Sequence, residues 1–163
     1  MSEPPISLRP ALPADAAFLF ALYRDTRAEE VGAWGWGPAE LEAFLQLQYR
    51  ARQMHFGHLV PPADDTIVLR DEQPVGRLML QHGEAQIYVV DVALMREYRS
   101  IGIGALLIRR LQAEATQRDL PLRLQVAESS RAVRFYDRLQ FSLVESRGTH
   151  FLMEWLPGTH RSH

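Results

Sequence analysis

Arg99-Ser100-Ile101-Gly102-Ile103-Gly104 sets two glycines between a run of strand character, Gln86 to Leu94, and a run of helical character, Ala105 to Gln117. Glycine has no Cβ, so a ligand can approach the backbone closely at such a turn. The first N–H groups of the following helix have no acceptor inside the helix, and its dipole presents a positive end there. Such a turn suits phosphate or pyrophosphate. Two familiar phosphate motifs are excluded. A dinucleotide fingerprint needs a third glycine where Leu107 stands, and the Gly-Lys-Ser/Thr of a Walker loop is absent. A purely structural turn fits the same glycines.

Other residues could carry chemistry. Asp91 is a lone carboxylate in an apolar run (YVVDVAL). Burying it is costly unless it is paired or has a role. It could take a proton from a nucleophile, accept hydrogen bonds from a loop, or bind an arginine. Glu84, Tyr88, His55 and His82 are further candidates for a base. Trp34 and Trp36 flank Gly35 in a glycine-rich stretch (VGAWGWGP). Rings on a loop can wall a ligand or stack on a cation, and can equally cover the core. The acidic residues nearby, Glu29, Glu30, Glu40 and Glu42, would favour a cationic ligand, although a solvated helix face explains them more simply. His55 and His58 have no carboxylate cluster beside them, so no metal is expected.

The bulk properties narrow the classes. The 163 residues are 47% hydrophobic and 23% charged, with a net charge of −2. That fits one globular domain, with no basic excess for nucleic acid. No apolar run approaches the ~20 residues of a membrane span. The N-terminal MSEPPISLRP lacks a signal pattern, so a cytoplasmic location is expected. Cysteine is absent, which excludes disulfides, thiolate zinc sites and a cysteine nucleophile.

The elements that must position these residues follow from periodicity. Ile6 to Arg9 reads as a strand, and Pro13-Ala14-Asp15 opens a helix with Phe18, Leu19 and Leu22 on one face. A second helix is predicted from Pro38 to His55. Thr66 to Arg70 and Pro74 to His82 read as a hairpin around Asp71-Glu72-Gln73, and Gln86 to Leu94 as the next strand. The helix from Ala105 leads to a strand over Leu122 to Val126. Ser129 or Ser130 can cap a helix bearing Ala132, Val133, Phe135, Tyr136 and Leu139. Phe141 to Arg147 and His150 to Trp155 form a final strand pair around Gly148. The result is a mixed α/β fold of order β-α-α-β-β-β-α-β-α-β-β. Residues 1–157 are expected to form one domain and 158–163 a polar, disordered tail.

The segment VALMREYRSIGIGALL resembles motif A of the GNAT superfamily of acyl-CoA-dependent N-acyltransferases. Ser129 to Phe141 (SSRAVRFYDRLQF) resembles a second family segment, with Ala132, Phe135, Tyr136 and Phe141 matching. Ser100 stands where the family usually has glycine, Ser129 replaces an asparagine, and Gln140 replaces a glycine, which puts a left-handed helix end in question. The resemblance implies a GNAT-like mixed sheet over nearly the whole chain. It implies acetyl-CoA as co-substrate and an amine acceptor, either a small molecule or a peptide; from the charge and hydropathy above, no nucleic acid or membrane partner is expected. Many members are homodimers.

The resemblance also implies site residues. The turn from Arg99 through Ser100, Ile101, Gly102, Ile103 and Gly104 to Ala105 would hold the pyrophosphate. Val92, Ala93 and Leu94 would pair their backbone with the pantetheine arm, with Ser129 and Phe135 nearby. Tyr136 would protonate the departing thiolate, although its place on an apolar helix face also suits a core aromatic. Asp91 would lie just before the thioester, and Trp34 and Trp36 near the acceptor. Without cysteine, direct attack of the amine on the thioester is the simplest route. A non-catalytic acyl-CoA sensor is the alternative.

Overall fold

A computed structural model describes residues 5–158. Of the expected tail, only Gly158 lies within them. Seven strands form one mixed sheet: β1 Ile6–Pro10, β2 Asp64–Arg70, β3 Gln73–His82, β4 Ile87–Leu94, β5 Leu122–Ala127, β6 Ser142–Ser146 and β7 His150–Trp155. The helices are α1 Ala16–Gly32, α2 Pro38–Gly57, α3 Ile103–Arg118 and α4 Ala132–Arg138. The strand order is β1-β2-β3-β4-β5-β7-β6. Among the described residues only the β4–β5 pair is parallel, as a strand–helix–strand crossover through α3 requires. The element order and the mixed class are those expected from the sequence.

Two layers of helix enclose the sheet. Along α3, Ile103, Leu107, Leu111 and Ala115 recur every four residues and are buried. They join Val75, Leu78, Leu80, Ile87, Val89, Leu122 and Leu124 in the main core. Leu19 and Leu22 of α1 and Leu45 of α2 are buried outside that core, in the layer on the other face. Asp15 ties this layer to β1. Its carboxylate accepts both Arg9 guanidinium hydrogen bonds at 2.8 Å and the Leu12 N–H at 2.7 Å.

Local geometry differs from the sequence reading in a few places. Asp71 and Glu72 both have positive φ (50° and 66°), so the β2–β3 hairpin closes on two residues rather than three. Helix α1 continues to Gly32, into the glycine-rich stretch, and α3 begins at Ile103, two residues early. Gln140 adopts the left-handed conformation (φ 71°) that the missing glycine had put in question. The Phe141 N–H reaches the Tyr136 carbonyl and the Gln140 N–H reaches that of Asp137, both at 3.0 Å. This is a Schellman closure, and its hydrogen bonds hold glutamine in a conformation that glycine adopts more cheaply.

One irregularity shapes the site. Met79 pairs with Asp91 and Leu80 with Val89, which leaves Val90 unmatched in β4. An extra residue switches the alternation of a strand. Ile87 and Val89 point into the α3 core. Without the bulge, Asp91 would follow them there. With it, Asp91 turns to the α1/α2 layer.

Candidate active site

Pairing between β4 and β5 covers Ile87 to Val89 against Leu122 to Leu124 and then stops. It stops at the Val90 bulge. Beyond it, β4 runs on to Leu94 and β5 to Ala127 without pairing to each other. The β4 edge facing β5 therefore carries backbone N–H and C=O groups not used in that ladder. An extended ligand could pair there as a strand would.

A cavity of about 440 Å³ opens at this divergence. Asp91, Val92 and Ala93 of β4 line one wall, and Ala127 and Ser130 line the opposite one. Helix α1 adds Tyr23 and Thr26, and α2 adds Tyr49 and Arg52. Asp91 Oδ1 meets the Arg52 guanidinium at 2.9 Å, the arginine-bound state that was one of its sequence alternatives. Arg77 reaches the cavity from β3 but is neutralised. Its Nε and second nitrogen bond the two Asp65 oxygens at 2.8 and 2.7 Å, and its third nitrogen bonds Gln53 Oε1 at 3.0 Å.

Tyr136 is 7% exposed and packs edge-on against Phe135 and Phe141. Its hydroxyl makes no hydrogen bond within the described residues, and no fully buried side-chain polar atom there lacks a partner. The oxygen therefore opens onto accessible space. Burial first, and then the nearby negative charge of Asp91, pushes its pKa up to about 12. Tyr136 is not itself among the residues lining the cavity; the charge of Asp91, which is, reaches its hydroxyl. Tyr136 thus stays protonated, a donor available throughout the neutral range.

The glycine turn follows the C-terminal end of β4. Gly102 has φ 94° and precedes α3, and a Cβ on it would meet nothing within 4 Å. The first helical bond is Leu106 N–H to the Gly102 carbonyl, so the N–H groups before it have no acceptor inside the helix. Ser100 is also left-handed (φ 63°), in the place where the sequence lost a glycine. These features fit a pyrophosphate: open space at Gly102, helical N–H groups and a positive dipole end. Ile101 is exposed, whereas Ile103 is fully buried and anchors the turn. Ala105 is half-buried in the first turn of α3. Phe135 Cζ and Leu94 Cδ1 lie 3.5 and 3.9 Å from a Cβ placed on Gly104, so both residues flank the start of α3.

Not every candidate from the sequence reaches this cleft. Arg99 donates from Nε to the Leu94 carbonyl at 2.9 Å and faces Asp25 of α1 at 3.4 Å, so it braces the turn. Ser129 is exposed, while its neighbour Ser130 lines the cavity and accepts the Ala132 N–H at 3.0 Å. Trp34 and Trp36 pack on each other and on Phe44, with centroids 5.3 to 5.4 Å apart, and are not among the lining residues. His82 is held between Asp64 at 2.6 Å and Glu114 at 2.9 Å, away from the cavity lining. His55, Glu84 and Tyr88 do not line it either.

Sequence reasoning missed Tyr23, Thr26, Tyr49, Arg52 and Arg77. Arg77 gave a usable signal, a lone charge in an apolar strand (VGRLML), the same argument that picked out Asp91. The helical residues gave none, because polar residues at helical spacing look like any solvated face.

The acetyltransferase (GNAT) domain model matches residues 25–158. The chain belongs to the GNAT acetyltransferases. Solved structures share the fold. The PaiA N-acetyltransferase of Thermoplasma acidophilum, in complex with coenzyme A, superposes with a TM-score of 0.69 at 18% identity, over 96% of this chain and 99% of that one. An acetyltransferase of Thermus thermophilus gives 0.69 at 18% identity, over 93% and 96%. The ribosomal-protein-S18-alanine N-acetyltransferase of Escherichia coli gives 0.61 at 14% identity, over 93% of each chain. No curated protein matches the sequence. Among the described residues, no helix is long and apolar enough to cross a membrane. None of their His, Asp and Glu side chains group in a way that could hold a metal.

Proposed function

We propose that this GNAT protein transfers acetyl from acetyl-CoA to an amine by direct attack. The observation that carries this reading is the Tyr136 hydroxyl, protonated and without a hydrogen-bond partner among the described residues, within electrostatic reach of Asp91 on the cavity wall, whose strand leads to the glycine turn before α3. Coenzyme A in a structural neighbour supports the same choice of donor.

Each residue then has a part. Ser100 to Ala105 receive the pyrophosphate, and Arg99 braces that turn. The β4 edge from Val92 to Leu94 pairs with the extended arm, with Ser130 and Phe135 opposite and Ser129 at the rim. Asp91 holds the acceptor nitrogen and passes its excess proton to water. The amine nitrogen bonds to the carbonyl carbon as the carbon–sulfur bond breaks, and the second proton that the nitrogen then loses goes through Asp91 to water. The sulfur leaves as a thiolate and takes the Tyr136 proton, which water restores. A thiolate whose conjugate acid has a pKa of roughly 8.5 gains from such a donor.

Calorimetric titration with acetyl-CoA, ATP and NAD tests the ligand, and thiol release over a panel of amines tests the reaction. Binding of acetyl-CoA alone, with turnover of at least one amine, is the expected result. Binding with no turnover would leave an acyl-CoA sensor in its place.

A further inference from the structure

We propose that the acceptor is a small zwitterion, an α- or β-amino acid, whose ammonium goes to Asp91 and whose carboxylate goes to Arg52. This rests on the acyltransferase reading and adds the acceptor class.

The charge balance of the cavity carries it. Arg77 is closed off by both oxygens of Asp65. That leaves one cation and one anion, Arg52 and Asp91, facing the same space and bonded to each other at 2.9 Å. Their side chains keep 39% and 18% exposure, so a ligand can reach both. A molecule carrying an ammonium and a carboxylate one or two carbons apart replaces this ion pair with two, and no charge is left without a partner.

Other amines fit less well. A polyamine would bring a second cation beside Arg52 and Arg77. A peptide N-terminus would occupy Asp91 but offer Arg52 a neutral amide, leaving its charge uncompensated in a partly desolvated site. Arg52 is also set up for a carboxylate. Its guanidinium lies over the Phe56 ring at 4.9 Å and the Tyr23 ring at 5.9 Å, which supports its face, and the N–H groups that now meet Asp91 are the ones a ligand carboxylate would take over.

The test uses the whole protein with acetyl-CoA and reads thiol release. The panel holds the common α-amino acids and β-alanine, each as free acid and as amide, with spermidine and a short peptide for comparison. We expect at least one free acid to turn over with kcat/KM at least tenfold above its own amide, and Arg52→Gln to bring that ratio close to one. The comparison on the parent protein stands even if Arg52→Gln folds poorly. Equal rates for acid and amide, or preference for spermidine or the peptide, would overturn the zwitterion while leaving the acyltransferase intact. Titration with acetyl-CoA separates the two failures: no binding removes the acyltransferase reading and this inference with it.

Discussion

Gly76 of β3 lies so close to Ala93 of β4 that a Cβ on Gly76 would sit 2.3 Å from the Ala93 carbonyl oxygen and 2.7 Å from Leu94 Cδ2. Neither neighbour can give way cheaply, because the carbonyl is backbone and Leu94 packs against the core. The wall of the cleft therefore depends on an absent side chain in the adjacent strand. Gly76→Ala should destabilise the fold by about 1–3 kcal/mol and weaken acetyl-CoA binding as β4 shifts. Urea unfolding and calorimetry measure both. A variant as stable as the parent would show that β4 moves freely.

Gln140 offers the opposite case. It holds φ 71° at the end of α4, is exposed, and touches no part of the cleft. Gln140→Gly should raise stability by about 0.5–1 kcal/mol and leave turnover unchanged. Loss of stability on urea unfolding would mean that the glutamine side chain contributes more than its backbone strain costs.

These two positions show what the sequence made legible. The element order and the glycine turn could be read because each rests on local pattern: strand alternation, helical spacing and two glycines at a junction. Asp91 stood out as a charge in an apolar strand, but its facing did not, because one unmatched residue, Val90, reverses the alternation. Gln140 looked like a break in pattern, yet two backbone hydrogen bonds impose the turn anyway. Arg52 and Tyr23 were invisible as site residues, since only the packing of α1 and α2 on the sheet brings them to Asp91.

The proposed pyrophosphate site can be tested at Gly104. A Cβ there meets Phe135 Cζ at 3.5 Å, an ordinary contact, so Gly104→Ala should fold and bind acetyl-CoA nearly as the parent does. Gly104→Glu should weaken binding more than tenfold, or ~1.4 kcal/mol, by placing negative charge against the phosphates. Equal affinities for the glutamate and alanine variants would move the phosphate site elsewhere.

The raised pKa of Tyr136 has a consequence at high pH. Its value goes from 10 to about 12 on folding, so between these values the unfolded chain has lost a proton that the native protein keeps. The associated stability is fully present below pH 10 and is lost as pH rises towards 12. Catalysis should follow the same group. Once the acceptor amine is deprotonated, kcat should hold level to about pH 10. A fall in kcat near pH 9 in a protein that remains folded would identify a different proton donor.

Tyr136→Phe tests the account most directly. Phenylalanine keeps the ring that packs on Phe135 and Phe141 and removes only the hydroxyl. With acetyl-CoA and a working amine, single-turnover and steady-state rates should fall by ~10²–10⁴-fold while acetyl-CoA affinity stays near that of the parent. The loss should shrink with an acyl donor whose leaving thiol is more acidic, because that thiolate departs without a proton. Turnover of Tyr136→Phe at the parent rate would contradict the central claim that this hydroxyl protonates the leaving sulfur.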